Sequence, residues 1–456
     1  MELEKILQEK NELSEIALTY NKDKEYKVKF KEILKEKIKL SEKTALTAGL
    51  QCCEDEVVKI SHENIIEVLE FAKKEFENNK KFYNDLSKKL DEIKKGLTNN
   101  AEFKGLNNQE ISILEKKVCE YCPKDEWYLN IGGSPAITTI SMYEYSKEDK
   151  NVDVFYVGNL VSTTIDALYR NPELIPVFIN NKITKAKPRT LCLEDYLGKY
   201  RIMITFSEGR ELSELQRNSF FKNLQELGTN YKRVLINIGG LNKGEPEEYK
   251  NLIEEIRNKV DSNLIYIGTN DFPKDNDKRK KYLEIVLNSD FASMNDVEIK
   301  QLYESVNGDK NKKIGEILED LEEKAKSENI KTNENKILIV HSPNGAILKT
   351  YGKYESIPKE KLEEALKFSV IATSYRLASG IYPNKEMIEN IASNKIKNLN
   401  KEEFEKEFGD ESYLKQKKII GVYSPKLLNI IGDMTGAGAT FDGVMMYYLY
   451  KIIYIF

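Results

Sequence analysis

The sequence predicts an α/β protein built on a doubly wound, mostly parallel sheet with helices on both faces, accompanied by a smaller β-rich lid. Three observations predict it. After residue 210, short apolar runs such as "RVLINIGG", "NLIYIG" and "KILIV" alternate with stretches of amphipathic helical period. Between them and the first third of the chain, "DVFYVGNL", "LIPVFIN", "RTLCL" and "YRIMITFSE" follow one another with little helix, as a β meander does. Finally, every candidate polar or glycine motif falls just after a predicted strand, where a sheet of this kind binds its ligands.

Taken in order, residues 1–43 place Leu3, Ile6, Leu7, Leu13, Ile16 and Ala17, then Phe30, Ile33, Leu34 and Ile38, at helical spacing. They read as amphipathic helices with a solvated face and no sustained heptad. "KTALTAGLQCCEDEVVKI" reads as a strand leading into a loop, with Glu54-Asp55-Glu56 as a solvated acidic run. Helices follow over Ile65 to Ala72 and Phe82 to Ile93, and "NQEISILEKKVCEY" forms another, packing Cys119 inside. "WYLNIGGSPAI" is a strand, a Gly-Gly turn and an apolar helix. Further helices lie in "EPEEYKNLIEEIRNKV", "KRKKYLEIVLN" and "KIGEILEDLEEKAK", and over residues 359–379, where Gly380 suits the position just past a helix end. The last segment, "VMMYYLYKIIYIF", is apolar but short and interrupted by Lys451, which fits a buried helix better than a membrane span. These readings divide the chain into N-terminal helices (1–43), a large α/β unit (44–150 and 200–456, with lid elements within 47–126) and a β-rich lid (151–199).

Composition narrows the partners. The chain of 456 residues carries 71 basic and 75 acidic residues, a formal net charge of −4, which argues against nucleic acid or an anionic membrane as partner. The opening "MELEKILQEKNEL" is charged from its second residue and lacks the pattern of a cleavable signal. Five cysteines in a chain of this length suggest free thiols and a cytoplasmic setting. Cys119-x-x-Cys122 has redox or half-zinc spacing, yet His62 and His341 are the only histidines, so a four-ligand zinc site has little to draw on.

The segment "GDMTGAGATFDG" carries the clearest chemistry. Gly436, Ala437 and Gly438 let the backbone approach an anion at the head of a helix, where amides lack intrahelical acceptors and the macrodipole adds positive charge. The plainer alternative is an ordinary tight strand-to-helix turn. Asn295 and Glu298, in "SMNDVEI", project to one side of a helix start, where Glu298 would hold magnesium through its waters while Asn295 orders the phosphate environment. The same spacing is also that of a capping box. Gly132-Gly133 allows close approach of a small polar ligand. Asp55 and Asn242 stand after predicted strands, Asp55 as a candidate acceptor of hydrogen bonds from sugar hydroxyls and Asn242 as a candidate to reach the ligand, although Asn242 also suits a plain turn.

Taken together, these segments resemble the ADP-dependent phosphofructokinase/glucokinase family, a branch of the ribokinase-like sugar kinases. "TALTAGLQCCEDEVV" is similar to the family's first strand and the loop with its sugar-binding Asp, here Asp55, and "WYLNIGGSPAI" to its Gly-Gly sugar motif. "YRIMITFSE" resembles the segment that brings an Arg near the nucleotide phosphates, which implies that role for Arg201. "INIGGLN" resembles the strand ending in a sugar-contacting amide, Asn242; "SMNDVE" its Asn-x-x-Glu motif; "KILIVHS" a late strand ending in His; and "GDMTGAG" its anion hole. The resemblance implies ADP as phosphoryl donor, Mg2+ as cofactor, and glucose or fructose 6-phosphate as acceptor. Lys182, Lys185, Lys187 and Arg189 are candidates to meet a 6-phosphate. The short tail after Ala439 and the large lid favour this branch over an ATP-dependent ribokinase-type kinase.

Two departures qualify that expectation. The family places its catalytic Asp just after the anion hole, where this chain has Ala439. Its His-x-Glu motif, which helps to hold magnesium, is replaced in "IYIGTND" by Tyr266 and Gly268. Asp442 stands nearly a turn further along the helix and is not expected to substitute, while Asp433 and Asp271 are other carboxylates nearby in sequence. The expected function is therefore a sugar kinase impaired at its base, or a relative that binds nucleotide and sugar without turnover.

Overall fold

The computed structural model describes residues 43–49, 53–97, 100–158, 160–161, 183–184, 189–196, 200–205, 214–239, 245–260, 263–269, 272–393, 399–427 and 436–454. Strand β1 (Thr44–Gly49) precedes β2 (Cys53–Lys59), helices α1 (His62–Glu75) and α2 (Lys80–Lys94), and β3 (Asn100–Lys104). Next come α3 (Asn108–Cys119), β4 (Tyr128–Gly132), α4 (Ser134–Ser146) and β5 (Val152–Tyr156). Two short strands, β6 (Leu160–Val161) and β7 (Ile183–Thr184), lead to β8 (Arg189–Glu194) and β9 (Arg201–Thr205). Regular alternation follows: α5 (Glu214–Asn230), β10 (Arg233–Gly239), α6 (Pro246–Lys259), β11 (Asn263–Gly268), α7 (Asn276–Asn288) and β12 (Phe291–Asn295). After α8 (Asp296–Ser305) and α9 (Ile314–Ser327), β13 (Ile337–Ser342) turns directly into β14 (Gly345–Thr350). The chain closes with α10 (Lys359–Ser379), α11 (Lys385–Ser393), α12 (Lys401–Glu407), α13 (Glu411–Gln416), β15 (Ile420–Tyr423) and α14 (Ala437–Tyr454).

The eight-stranded sheet has the order β15-β14-β13-β12-β11-β10-β1-β5. Neighbours from β13 to β5 are parallel, and β14 and β15 extend the sheet antiparallel. Strand order reverses at β1, with β5 on one side and β10 on the other, so the crevice beyond the carboxyl ends opens there. Both faces are covered. Along β10, Val234, Ile236 and Ile238 join one core with Leu224, Ile253, Leu283, Leu302 and Leu318. Leu235, between them, joins the other core with Leu46, Tyr266, Phe291, Ile140, Leu366 and Met445. Each such buried aliphatic side chain contributes about 1.5–3 kcal/mol. The result is the doubly wound, mostly parallel arrangement expected from the alternation.

A second, five-stranded sheet has the order β3-β9-β8-β2-β4. Val58, Phe103, Leu191, Leu193, Ile202 and Ile204 on one of its faces pack against Ile65, Phe82 and Leu86 of α1 and α2.

Three expectations change. The run Glu54-Asp55-Glu56 lies inside β2, paired on both sides by β4 and β8, and is not a loop. Within it, buried Glu56 meets Lys124 Nζ at 3.0 Å. Val152–Tyr156, read as part of the lid, joins the large sheet beside β1, whereas Tyr128–Gly132 and Arg201–Thr205, read as parts of the large unit, belong to the small sheet. Alternation identifies a strand but carries no information about which sheet receives it. The last helix is buried as expected, and among the described residues no helix is long and apolar enough to cross a membrane. Residues 1–42 and the run "LIPVFIN" lie outside the described residues.

Candidate phosphate-binding site

The site is organised by the head of α14. Gly436 precedes the helix with φ of +82°, a left-handed conformation that glycine adopts without strain. Thr440 closes the first turn, donating to the Gly436 carbonyl from its amide at 2.8 Å and its hydroxyl at 3.1 Å. The amides of Ala437, Gly438 and Ala439 precede any intrahelical acceptor, and no acidic side chain sits in this turn. Partial positive charge is thus left at the helix head, as an anion requires.

What surrounds Gly436 requires a glycine there, and Gly438 is closely approached. A Cβ at Gly436 would lie 2.4 Å from Ile137 Cδ1 and 3.4 Å from the Nη1 of Arg376. At Gly438 it would lie 3.1 Å from His341 Cε1. Arg376, near the end of α10, is only 3% exposed and lies over the Tyr382 ring at 4.7 Å. It brings a permanent cation to the cradle. His341 ends β13 and packs on Phe441 with ring centroids 4.8 Å apart. Desolvation lowers its pKa to about 4, so the imidazole is neutral at physiological pH. Sequence reading noted His341 but missed Arg376. An Arg in the last turn of a helix reads as a partner for the dipole, and only its burial sets this one apart.

The Asn295–Glu298 pair forms the capping box that its spacing allowed. Asn295 Oδ1 accepts from the amides of Val297 (2.9 Å) and Glu298 (2.8 Å), and the Asn295 amide donates to Glu298 Oε2 at 2.8 Å. The Glu298 carboxylate also accepts from the Thr269 hydroxyl. Even so, the pair stands beside the cradle, because Asn295 is the register partner of His341, which abuts Gly438.

The Gly-Gly turn approaches the same place through α4. Gly133 has φ of +89° and caps α4. One turn into that helix, Ile137 touches the Gly436 position, while Pro135 lies 3.0 Å from where a Cβ on Gly239 would stand. Gly132 ends β4 opposite Cys53. Asp55 lies on β2 opposite Asn130 and Thr190, and its side chain is outside the described residues. Asn242, Asp271, Asp433, Lys182, Lys185 and Lys187 lie outside them altogether, as does the Arg189 side chain.

Arg201 lies at the end of the small sheet away from Gly132. Its register partners are Glu194 and Asn100, whereas the end of the sheet nearest Gly132 carries Cys53, Arg189 and Thr205. The separation along β9 is about 13 Å at ~3.3 Å per residue. The cation found at the cradle is Arg376.

Asp442 is buried within α14. One helical turn carries its side chain back over the ends of the strands, among Asn237, Tyr266, Gly268 and Ser293. These lie on the sheet face covered by α14, where Asn237 pairs with Tyr266, and Gly268 with both Gly239 and Ser293. The Tyr266 hydroxyl donates to Asp442 Oδ1 at 2.7 Å, and a Cβ on Gly268 would fall 2.8 Å from Oδ2. Burial pushes the carboxyl up to about 6, against the opposing pull of the Ser293 and Tyr266 hydroxyls. Beside it, the Asn237 amide nitrogen meets Met446 Sδ at 3.4 Å, and its buried Oδ1 has no hydrogen-bond partner.

No protein-family model and no curated protein matches the chain. Solved structures do. A hypothetical ADP-dependent phosphofructokinase from Pyrococcus horikoshii OT3 aligns with a TM-score of 0.58 at 15% identity, over 90% of this chain and 99% of its own. An ADP-dependent kinase in complex with fructose-6-phosphate and ADPβS aligns with a TM-score of 0.60 at 12% identity, over 97% and 99%. The reconstructed last common ancestor of ADP-dependent phosphofructokinases from Methanosarcinales aligns with a TM-score of 0.57 at 14% identity, over 96% and 99%. The chain therefore has the fold of the ADP-dependent phosphofructokinases.

Proposed function

We propose that this protein binds ADP and a sugar or sugar phosphate in the manner of an ADP-dependent sugar kinase, with phosphoryl transfer impaired by the alanine at position 439. The observation that carries the reading is the head of α14, where amides without intrahelical acceptors, buried Arg376 and neutral His341 come together. Gly436, Ala437 and Gly438 cradle the transferring phosphoryl group, and Arg376 balances its charge. Asp55, Gly132, Gly133 and Asn242 hold the acceptor, glucose or fructose 6-phosphate, against it.

Magnesium, when bound with ADP, screens the phosphate charge. Among the described residues no group of three His, Cys, Asp or Glu side chains forms a direct cage for it. The amide oxygen of Asn237 has no hydrogen-bond partner, but it is enclosed too tightly for a metal-bound water to reach it. Glu298 contributes its carboxylate through metal-bound water. Free thiols at Cys119, Cys122 and Cys192 accord with a cytoplasmic setting.

Loss of a general base costs about 10²–10⁴-fold in rate. The loose transition state of phosphoryl transfer relies on positioning and charge, which the cradle retains, so slow turnover survives. A second reading, binding without turnover, is favoured by the simultaneous absence of carboxylates at Ala439 and Gly268. A coupled assay with ADP or ATP against glucose and fructose 6-phosphate decides between them, run on this chain and on Ala439→Asp. The proposal expects ADP to be the better donor and the variant to be faster. Turnover with ATP alone would contradict the donor assignment, and equal, robust turnover in both proteins would contradict the role of position 439.

A further inference from the structure

Resting on that reading of the cradle, we propose that Glu407 is a positioning residue for it. From the end of α12, its carboxylate holds the turn after β13 and thereby keeps the His341 ring in place against Gly438.

The hydrogen bonds converge on that turn. Glu407 Oε2 accepts from the Ser342 hydroxyl at 2.9 Å and from the Asn344 side-chain amide at 2.7 Å. The Ser342 oxygen in turn accepts from the Asn344 backbone amide at 3.0 Å. Ser424, just past β15, grips the opposite side: its amide donates to the Asn344 carbonyl at 2.9 Å and its hydroxyl to the Pro343 carbonyl. Ser342 follows His341 directly, so a turn fixed at Ser342 fixes the strand end that carries the imidazole. The helix that reaches across is itself firmly seated. Phe404 and Phe408 are buried in the core, and a Cβ on Gly345 would fall 2.7 Å from Phe404 Cδ2, so α12 rests on the hairpin.

The hairpin does not need this carboxylate to close. Ser342 pairs with Gly345, which leaves only Pro343 and Asn344 as the loop, and a connection that short is self-sufficient. A charged group is nevertheless drawn partly out of water to reach it. Desolvation raises the Glu407 carboxyl above its ordinary value and Asp296 adds to the rise, while Asn344, Ser342 and Lys300 pull the other way. Such a group contributes little to stability and much to placement.

Placement matters here because His341 has little slack. A Cβ on Gly438 would lie 3.1 Å from its Cε1, and the ring packs on Phe441 at 4.8 Å. Drift of the turn would carry the imidazole toward or away from the helix head, and small misplacements beside a bound anion are costly.

The test uses the full chain. Glu407→Gln keeps an oxygen able to accept both hydrogen bonds, whereas Glu407→Leu removes it and keeps the bulk. With magnesium present, calorimetric ADP affinity should be unchanged in Glu407→Gln and weaker by roughly 5- to 30-fold in Glu407→Leu. A role confined to stability would lower the melting temperature of Glu407→Leu and leave its ADP affinity alone; that result, or equal weakening in both variants, overturns the proposal. The ring has its own readout. His62 and His341 are the only histidines, so isotope-labelled histidine gives separate imidazole resonances, assigned by the loss of one set in His62→Gln. Those of His341 should shift or broaden in Glu407→Leu and stay in place in Glu407→Gln; resonances unmoved by the leucine contradict the proposal. Should the unmodified chain take up no ADP, the nucleotide reading falls, while the imidazole resonances still decide whether Glu407 holds the ring.

Discussion

At Ala439 the chain offers a methyl group where the resemblance implies a proton acceptor, and the rest of the cradle is intact around it. The effect of Ala439→Asp should therefore appear in the chemical step. We expect kcat with ADP and the preferred sugar to rise by about 10²–10⁴-fold while the dissociation constant for ADP stays put. Rapid-quench and calorimetric measurements separate the two. A gain seen only in affinity would mean that the side chain acts on binding. Sequence legibility varies at this scale. Gly436, Gly438, Asn295 and Glu298 announced themselves because glycine and capping residues carry local meaning. Asp442 and Arg376 did not, because their roles depend on which strand ends a helix happens to cross. No spacing rule links residue 442 to 266 or 376 to 436.

At the scale of the element, α14 is held against α4 at very close range. A Cβ on Gly443 would lie 2.7 Å from both the Thr138 carbonyl oxygen and Ser141 Cβ, and the Ser141 hydroxyl donates to the Thr440 carbonyl at 3.0 Å. Gly443→Ala should therefore destabilise the fold by about 1–3 kcal/mol despite its better helix propensity. Chemical denaturation measures this, and a stabilised variant would show that the two helices have slack. The boundaries of such elements were largely readable in advance. Gly380 has φ of +75° at the end of α10, and the apolar final segment is a buried helix. The acidic strand β2 was not readable, since its pairing with two neighbouring strands and the contact of Glu56 with Lys124 arise only in the assembled fold.

For the whole molecule, what the sequence withheld was assembly: which strands share a sheet, and which charges become buried together. One consequence is a pH dependence that belongs to the metal-free protein. The Asp442 carboxyl is raised to about 6 in the fold from an ordinary value of 3.8. Between those values the folded state binds a proton that the unfolded chain does not, so this group favours folding at low pH and opposes it above about 6. His341, lowered to about 4, acts in the opposite sense over much the same window, losing stability as pH falls from 6.5. Relative to the unmodified chain, Asp442→Asn should thus be of similar stability near pH 4 and more stable by on the order of 2–3 kcal/mol above pH 6. Urea titrations across that range measure the difference, and a constant offset at every pH would contradict the buried, ionised carboxylate.

The account stands on an anion received by the amides at the start of the final helix. Calorimetric titration of ADP with magnesium into the unmodified chain and into Gly438→Val, both checked for equal melting temperature, tests this most directly. Saturable one-site binding that weakens at least ~10-fold in the variant, equivalent to about 1.4 kcal/mol, is the expected result. Identical affinities in the two proteins, or no heat from either, would contradict it.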